Sequence, residues 1–170
     1  MRMWKGVYLP VMLLVGFAHF GYSQPERGKA ELAVKGGTIS VDYGRPSLQG
    51  RDMLGRLQIG GFWRMGRNQA TTLVTPVDLS FGTVKIPKGN YSLWLLRSSD
   101  DNFELVFNSQ TGQWGSQHDP AKDVAKVSLK KTVLPNPVET FTIDLKGGPD
   151  QGVFSMSWGD VELSAEFTVD

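Results

Sequence analysis

The stretch Phe141-Thr142-Ile143-Asp144-Leu145 decides the fold class of this chain. Apolar side chains recur at every second position, so an extended strand here has one apolar face and one polar face. The same period of two recurs in Val41 with Tyr43, Leu79 with Phe81, Val84 with Ile86, Phe103 with Leu105 and Phe107, Val127 with Leu129, Phe154 with Met156 and Trp158, and Val161 with Leu163, Ala165, Phe167 and Val169. This pattern predicts a protein built almost entirely of β-strands.

Short turn motifs separate these apolar runs. They are Gly36-Gly37, Gly82-Thr83, Lys88-Gly89-Asn90, Ser99-Asp100-Asp101, Gly147-Gly148 and Gly159-Asp160. Residues of these types favour the tight turns that join neighbouring antiparallel strands. The spacing predicts an all-β fold, namely a single-domain antiparallel β-sandwich of the jelly-roll type with about ten short strands.

Two segments predict short helical turns, and a third predicts a break between strands. Residues 52–59 form one candidate turn, and residues 119–123 form the other, with Asp119 as the N-cap and Pro120 as the first helical residue. Residues 134–137 contain two prolines, and we expect them to be a stiff connector between two strands.

Residues 1–23 have the pattern of a secretory signal peptide. Arg2 and Lys5 precede an apolar stretch that is shorter than the roughly 20 residues a membrane span needs, so an uncleaved membrane anchor is the less favoured alternative. We expect cleavage before Gln24, a disordered leader over residues 24–29 and a β-sandwich domain over residues 30–170. Because the chain has no cysteine, a lipid anchor has no acceptor. The product is therefore expected to be periplasmic or secreted, with no transmembrane segment.

Composition excludes several classes of protein. Without cysteine there are no disulfides and no thiolate metal sites, and His118 is the only histidine outside the signal peptide, which excludes zinc sites built from several imidazoles. The net charge is +1, and the signal peptide removes two basic residues, so the remaining surface lacks the basic patch that nucleic-acid binding requires. We expect no metal and no cofactor, and the oligomeric state stays open.

Residues 42–51 form the first of three loops whose side chains suit ligand binding. A Gly-Arg-Pro turn presents Arg45, and Arg51 follows it. Two arginines in a tight loop could hold a carboxylate, sulfate or phosphate through paired hydrogen bonds. The alternative is that they pair with Asp42 or Asp52 and pin the loop.

Residues 63–72 form the second loop, which contains Trp63, Arg64 and Asn68. In a structural reading Trp63 packs inward, while Arg64 and Asn68 satisfy carbonyl groups of the loop. In a functional reading, an arginine beside an indole binds a ligand with one flat face and one acidic or hydroxylated edge, such as a sugar or a peptide terminus.

Residues 108–119 form the third loop, which contains Trp114 and His118. Trp114 is either a stacking platform for a ligand or a cover for an open end of the sandwich. His118 is either a surface imidazole bonded to Asp119 or a general base. The second possibility gives a hydrolase in which Ser116 or Ser47 is the nucleophile, Asp119 or Asp123 orients the imidazole and Arg64 stabilises an oxyanion. Ser116 lies outside any strand-turn-helix elbow, and Asp119 has a sufficient role as a helix cap.

Several ordered motifs resemble one protein family. They are Asp42-Tyr43-Gly44-Arg45-Pro46-Ser47, Gly50-Arg51, Trp63-Arg64-x-Gly66-x-Asn68-x-Ala70-Thr71, Ile86-Pro87-x-Gly89-x-Tyr91-Ser92-Leu93 and Thr111-Gly112-Gln113-Trp114-Gly115. From about Ala30 to Val169, the chain resembles the family catalogued as domain of unknown function 2911. The resemblance implies an exported protein of Bacteroidetes-type bacteria with a single β-rich domain. It implies no reaction, cofactor or ligand.

We expect the end loops of the sandwich to form one shallow cleft, lined by Arg45, Arg51, Trp63, Arg64, Asn68, Trp114 and His118. The expected function is non-catalytic binding of a small or oligomeric ligand outside the cytoplasm, with a carbohydrate as the first choice and a small anionic ligand as the next. The alternatives are a hydrolase that uses His118 and a structural or assembly component of the cell envelope.

Overall fold

This computed structural model describes residues 27–52 and 54–170, so the predicted signal peptide lies outside the described residues. The strands confirm the predicted all-β fold. The described residues form one 3-10 helix, Pro120–Lys122, and ten strands: β1 (Arg27–Val34), β2 (Gly37–Gly44), β3 (Phe62–Trp63), β4 (Thr71–Thr75), β5 (Leu79–Phe81), β6 (Val84–Ile86), β7 (Gly89–Arg97), β8 (Phe103–Asn108), β9 (Asp123–Gly147) and β10 (Gln151–Val169).

The strands form one antiparallel sheet in the order β1-β2-β4-β7-β8-β9-β10-β5-β6, and β3 pairs with β7 next to β4. Strand β9 pairs with β8 over residues 123–129 and with β10 over residues 130–147. Strand β9 thus joins two halves of the sheet, one formed by β1, β2, β4, β7 and β8 and the other formed by β10, β5 and β6. The sheet folds over on itself at β9, so that β1 lies against β9. The result is a sandwich that is not closed into a barrel.

The main core lies between the two halves of the folded sheet. Phe81 of β5 packs on Phe107 of β8, and Tyr43 of β2 packs on Phe141 of β9, each with ring centroids 5.7 Å apart. Phe107 and Phe141 are fully buried, as is nearly all of Phe154 in β10. The apolar strand faces that the period of two predicts are therefore the faces that are buried on folding. Burial of this apolar surface is the main favourable contribution to folding.

The predicted connector at residues 134–137 lies inside β9 and does not separate two strands. The ladder between β9 and β10 is irregular here, because Val133 pairs with Val161 whereas Val138 pairs with Gly159. The β9 side of the ladder is longer, so its prolines occupy positions where regular pairing is already interrupted. Gly159, which the sequence places in a turn, lies within β10 at a φ of 63°.

The other local expectations concern the leader and the helical turns. Residues 27–29, predicted as part of the leader, begin β1 and pair with residues 42–44. Asp119 caps the 3-10 helix as predicted, with Oδ1 accepting a 3.1 Å hydrogen bond from the Ala121 N–H, and Pro120 is the first helical residue. Residues 54–56 form only a turn.

Strand β7 is buried on both of its faces. Leu93 and Leu95 belong to the main core, whereas Trp94 and Leu96 belong to a second, smaller apolar cluster. Successive side chains of a strand point to opposite faces, so this second cluster lies on the outer face of the sheet. The loops that cover this outer face carry four of the predicted site residues.

Candidate binding site

Two loops cover the outer face of β7 and β8. The arginine loop (residues 64–70) joins β3 to β4, and the tryptophan loop (residues 109–119) joins β8 to the 3-10 helix. Beneath them lies the second apolar cluster, which contains Ala70, Trp94, Leu96 and Val106 and packs against Phe62. Because they bury this cluster, both loops have a fixed position on the sheet.

His118 is packed inside this cover and does not lie on the surface. Its ring lies between those of Phe62 and Trp94, with centroid distances of 4.2 Å and 4.7 Å. Its Nε2 lies 2.8 Å from Oδ1 of Asp123, and both side chains are only 10% exposed. The hydrogen-bond partner of His118 is therefore Asp123, and not Asp119 as one reading of the sequence supposes.

Asn108 completes a buried polar network at the base of the tryptophan loop. Its Nδ2 donates to the carbonyl oxygen of Asp119 and to Oδ1 of Asp123, each at 2.8 Å, and its own Oδ1 accepts from the Gln110 N–H. Hydrogen bonds of this type fix both ends of the loop. In the part of the chain that the structure describes, His118 bonds to no serine hydroxyl, and Ser116 is exposed. This geometry gives His118 a structural role.

We expect His118→Ala to lower the free energy of unfolding by about 2–3 kcal/mol, because it removes a ring packed between two aromatic rings and takes one hydrogen bond from a buried carboxylate. Urea denaturation measures the change. The matched variant His118→Phe keeps the packing and should lose less stability than His118→Ala. A His118→Ala variant as stable as the parent chain would contradict the packing role.

The arginine loop and the tryptophan loop lie edge to edge. The N–H of Gly115 donates a 2.9 Å hydrogen bond to the carbonyl oxygen of Asn68, and Gln69 forms an isolated β-bridge with Trp114. This pairing brings three of the predicted site residues to one place on the surface, namely Arg64, Asn68 and Trp114.

The backbone of the arginine loop is strained. Met65 and Asn68 have φ values of 50° and 66°, in the left-handed region that residues with side chains seldom adopt. Met65 is fully buried, and its carbonyl oxygen accepts a 2.6 Å hydrogen bond from Oγ1 of Thr71, so packing and hydrogen bonding hold the loop in this shape. Such residues cost about 1–3 kcal/mol each and cluster at functional sites.

The Arg64 side chain crosses the tryptophan loop at Gly115. A Cβ at position 115 would overlap Cδ of Arg64 and lie 2.7 Å from the carbonyl oxygen of Asn68, so only glycine leaves room for this crossing. Arg64 and Asn68 are both half-buried. Within the described residues, neither the Arg64 guanidinium nor the Asn68 amide has a hydrogen-bond partner.

Trp114 lies beside this crossing and is 50% exposed. Its neighbour Gln113 is buried, and its Nε2 donates a 2.8 Å hydrogen bond to Oγ of Ser92, which also accepts from Nε1 of Trp94. Oε1 of Gln113 is buried without a partner among the described residues. Gln113 therefore anchors the loop from below, and the indole of Trp114 remains at the surface.

Arg45 and Arg51 contact other segments of the chain. Arg51 donates from Nε to the carbonyl oxygen of Leu48 and from Nη2 to that of Ser47, both at 3.1 Å, so it closes its own loop. This agrees with the pinning alternative, although the partners are carbonyl groups and not Asp52. Arg45 is half-buried, and its Cδ lies close to Gly28 of β1.

Trp63 packs inward, as the structural reading predicts. Its ring stacks on Trp158 with centroids 5.1 Å apart and an interplanar angle of 12°, and it meets Phe141 edge-on at 4.9 Å. Trp63 therefore belongs to the core, and its neighbour Arg64 is the residue that reaches the surface patch.

A cleft of about 590 Å³ lies where residues 48–55 meet the irregular segment of β9 and β10. Arg51 is the only member of the predicted set among the residues that line it. The cations at its rim are engaged: Arg97 donates to the carbonyl oxygen of Leu57 at 2.8 Å, and Lys131 donates to Asp101 at 2.7 Å. That hydrogen bond from Lys131 lowers the pKa of Asp101. Two of the cations that line the cleft are therefore already hydrogen-bonded, whereas the guanidinium of Arg64 is not.

Sequence reasoning missed three residues that shape this patch, namely Met65, Gln113 and Gly115. Gln113 and Gly115 flank Trp114 inside the Thr111–Gly115 motif, and a glycine beside a surface tryptophan is a signal for close approach by another segment. The sequence around Met65 contains no comparable signal. Its side chain is buried because the backbone at this residue is left-handed, and nothing in the local sequence predicts that conformation.

The fold and the two loops define the class of this protein, an open all-β sandwich domain with a polar and aromatic patch on its outer face. Residues 25–167 match the family model described as protein of unknown function (DUF2911), and the chain belongs to this family. The match confirms the resemblance seen in the sequence motifs. Comparison with curated proteins and with solved structures gives no match. Over the described ranges, no helix is long and apolar enough to cross a membrane.

Proposed function

We propose that this protein is an exported, non-catalytic binding module whose arginine and tryptophan loops recognise a carbohydrate or a small anionic ligand. The observation that carries the proposal is Arg64, a half-buried residue whose guanidinium has no hydrogen-bond partner within the described residues and which lies beside an exposed indole. A guanidinium forms strong paired hydrogen bonds with the oxygens of an acidic group. The signal-peptide pattern of residues 1–23 supports export.

The exposed face of Trp114 supports a ligand with an apolar surface of its own. An indole is a rigid, flat apolar platform, and the C–H face of a sugar ring packs well on such a surface. Asn68 adds an amide that both donates and accepts hydrogen bonds. An aromatic surface with a few convergent polar groups is the usual composition of a small-molecule site.

The alternative of a purely structural patch requires Arg64 and Asn68 to be sealed inside the protein with their hydrogen bonds satisfied. Both residues are half-buried and lack such bonds in the described part of the chain. The bonded network around His118 fits a structural role, whereas the patch above it fits binding. The hydrogen bond from His118 to Asp123 is one that the hydrolase alternative requires, but among the described residues no serine hydroxyl bonds to His118, so that alternative lacks an activated nucleophile.

The first test is a glycan array together with a panel of small carboxylates, both probed with the purified protein. We expect Arg64→Ala to weaken binding of the ligand so found by about tenfold to a hundredfold, because charge-assisted hydrogen bonds contribute about 1.5–3 kcal/mol. The melting temperature should stay within about 2 °C of the parent value, since Arg64 makes no bond within the described structure.

Arg56→Ala is the matched control for this experiment. Arg56→Ala removes one positive charge, as Arg64→Ala does. Because Arg56 is exposed on a different loop, its removal should leave the affinity for the ligand nearly unchanged. A large fall in melting temperature for Arg64→Ala would show that the arginine holds the fold together. Absence of binding to every glycan and carboxylate would reject the proposed function.

A further inference from the structure

Building on the proposed function, we infer that the ligand is an acidic saccharide, a sugar ring bearing a carboxylate or sulfate group, and not a neutral sugar. The inference depends on the charge around Arg64. Residues 61–71 contain two arginines, Arg64 and Arg67, and no acidic residue, and residues 109–118 contain no acidic residue either. The two segments that form the patch therefore supply positive charge without an anion to balance it.

Two carboxylates next to these segments are committed to other contacts, and a third forms no ion pair with Arg64. Asp119 caps the 3-10 helix, and Asp123 accepts hydrogen bonds from His118 and Asn108. Glu104 lies on the same face of β8 as Val106, which belongs to the second apolar cluster. It forms no ion pair with Arg64 in the described structure. An anion at Arg64 must therefore come from outside the described chain.

Other half-buried arginines of the described chain have partners. Arg27 pairs with Asp42, and Arg97 pairs with Asp100 while also donating to backbone carbonyl groups. Arg45 is engaged as well. A cation that is partly removed from water without an anion is unfavourable, and at Arg27 and Arg97 the protein supplies an aspartate as the partner. A bound acidic group would give Arg64 the kind of partner that Arg27 and Arg97 have.

The position of Arg64 next to Trp114 indicates that the acidic group of the ligand is attached to a sugar ring. Gly115 allows the arginine stem to cross the tryptophan loop next to Trp114, whose indole is half exposed. A ligand that fills both features needs an apolar ring face for the indole and an anionic group at the edge of that ring. A uronic acid or a sulfated sugar has both parts in one unit.

The test compares acidic oligosaccharides with neutral oligosaccharides of the same stereochemistry. In the carboxylate arm, tetramers of galacturonate, glucuronate and mannuronate are titrated calorimetrically into the full protein. In the neutral arm, the carboxyl-reduced forms of the same tetramers are titrated. In the sulfate arm, tetramers of sulfated galactose are titrated. We expect at least one acidic tetramer to bind about tenfold to a hundredfold more tightly than its neutral form. Its affinity should fall as salt is raised. The carboxylate and sulfate arms identify the preferred acidic group.

Three variants assign this preference to the patch. Arg64→Ala should remove the difference between acidic and neutral forms, and Gly115→Ala should do the same by displacing the arginine. Trp114→Ala should weaken binding of both forms, because the indole contacts the ring and not the charge. Arg56→Ala is the control, because it removes the same positive charge as Arg64→Ala. It should retain the full preference for acidic over neutral tetramers.

The possible failures can be told apart. Equal binding of acidic and neutral tetramers would overturn the acidic-saccharide inference and leave the proposed binding function in place. Binding of small carboxylates without any oligosaccharide would also overturn it, because the sugar ring would be unnecessary. An acidic preference that persists in Arg64→Ala would locate the site elsewhere. If no glycan or carboxylate binds at all, the proposed function itself fails.

Discussion

Trp158→Ala is expected to lower the free energy of unfolding by about 3–5 kcal/mol, a large fraction of the stability of an ordinary domain. Trp158 is 3% exposed, stacks on Trp63, meets Phe141 edge-on at 5.8 Å, and donates from Nε1 to the carbonyl oxygen of Glu139. Truncation removes all of these contacts and leaves a cavity beneath the cleft. Urea denaturation measures the loss, and the melting temperature should fall by about 10 °C.

Trp114→Ala is the matched control for Trp158→Ala. Both variants delete an indole, but Trp114 is half exposed and makes no ring contact with another aromatic residue in the described structure. Its loss should cost about 1 kcal/mol or less. Equal losses for the two variants would contradict the difference in packing on which the prediction depends.

Gly44→Ala is expected to cost about 2–4 kcal/mol of stability, since a new methyl group would meet backbone that cannot rotate away. A Cβ at position 44 would overlap the carbonyl oxygen of Arg67 and lie 2.7 Å from its nitrogen. The end of β2 or the arginine loop must therefore move. Because the loop carries Arg64, ligand binding should weaken together with stability.

Gly148→Ala tests whether any glycine substitution has this effect. Gly148 lies in the turn between β9 and β10, and a Cβ there would meet no atom within 4 Å. We expect a change within about 0.5 kcal/mol, measured by the same denaturation experiment. A Gly44→Ala variant as stable as Gly148→Ala would show that the arginine loop does not approach β2 as closely as described.

The fold class could be predicted because its signal is local. Apolar residues two apart, such as Phe103, Leu105 and Phe107, mark one face of a strand wherever that strand pairs. The continuity of β9 could not be predicted, because the prolines at residues 134–137 normally end a strand. They are accommodated here by the irregular pairing with Gly159, which depends on the partner strand and leaves no trace in the local pattern.

The candidate site could be predicted only in part, for a related reason. Arg64, Asn68 and Trp114 come together because two loops far apart in sequence pair edge to edge over β7. The sequence gives the chemistry of each loop but not this pairing. It likewise offers both Asp119 and Asp123 as partners for His118, and the fold selects Asp123 and packs the ring against Trp94.

Strand β9 ties the stability of one layer of the sandwich to that of the other. Its 25 residues supply the last strand of the β8 side and the first strand of the β10 side. Neither layer can lose this strand without exposing the ladder of the other, so the two layers form one cooperative unit in unfolding. We therefore expect the backbone amides that exchange most slowly with solvent to lie in both layers.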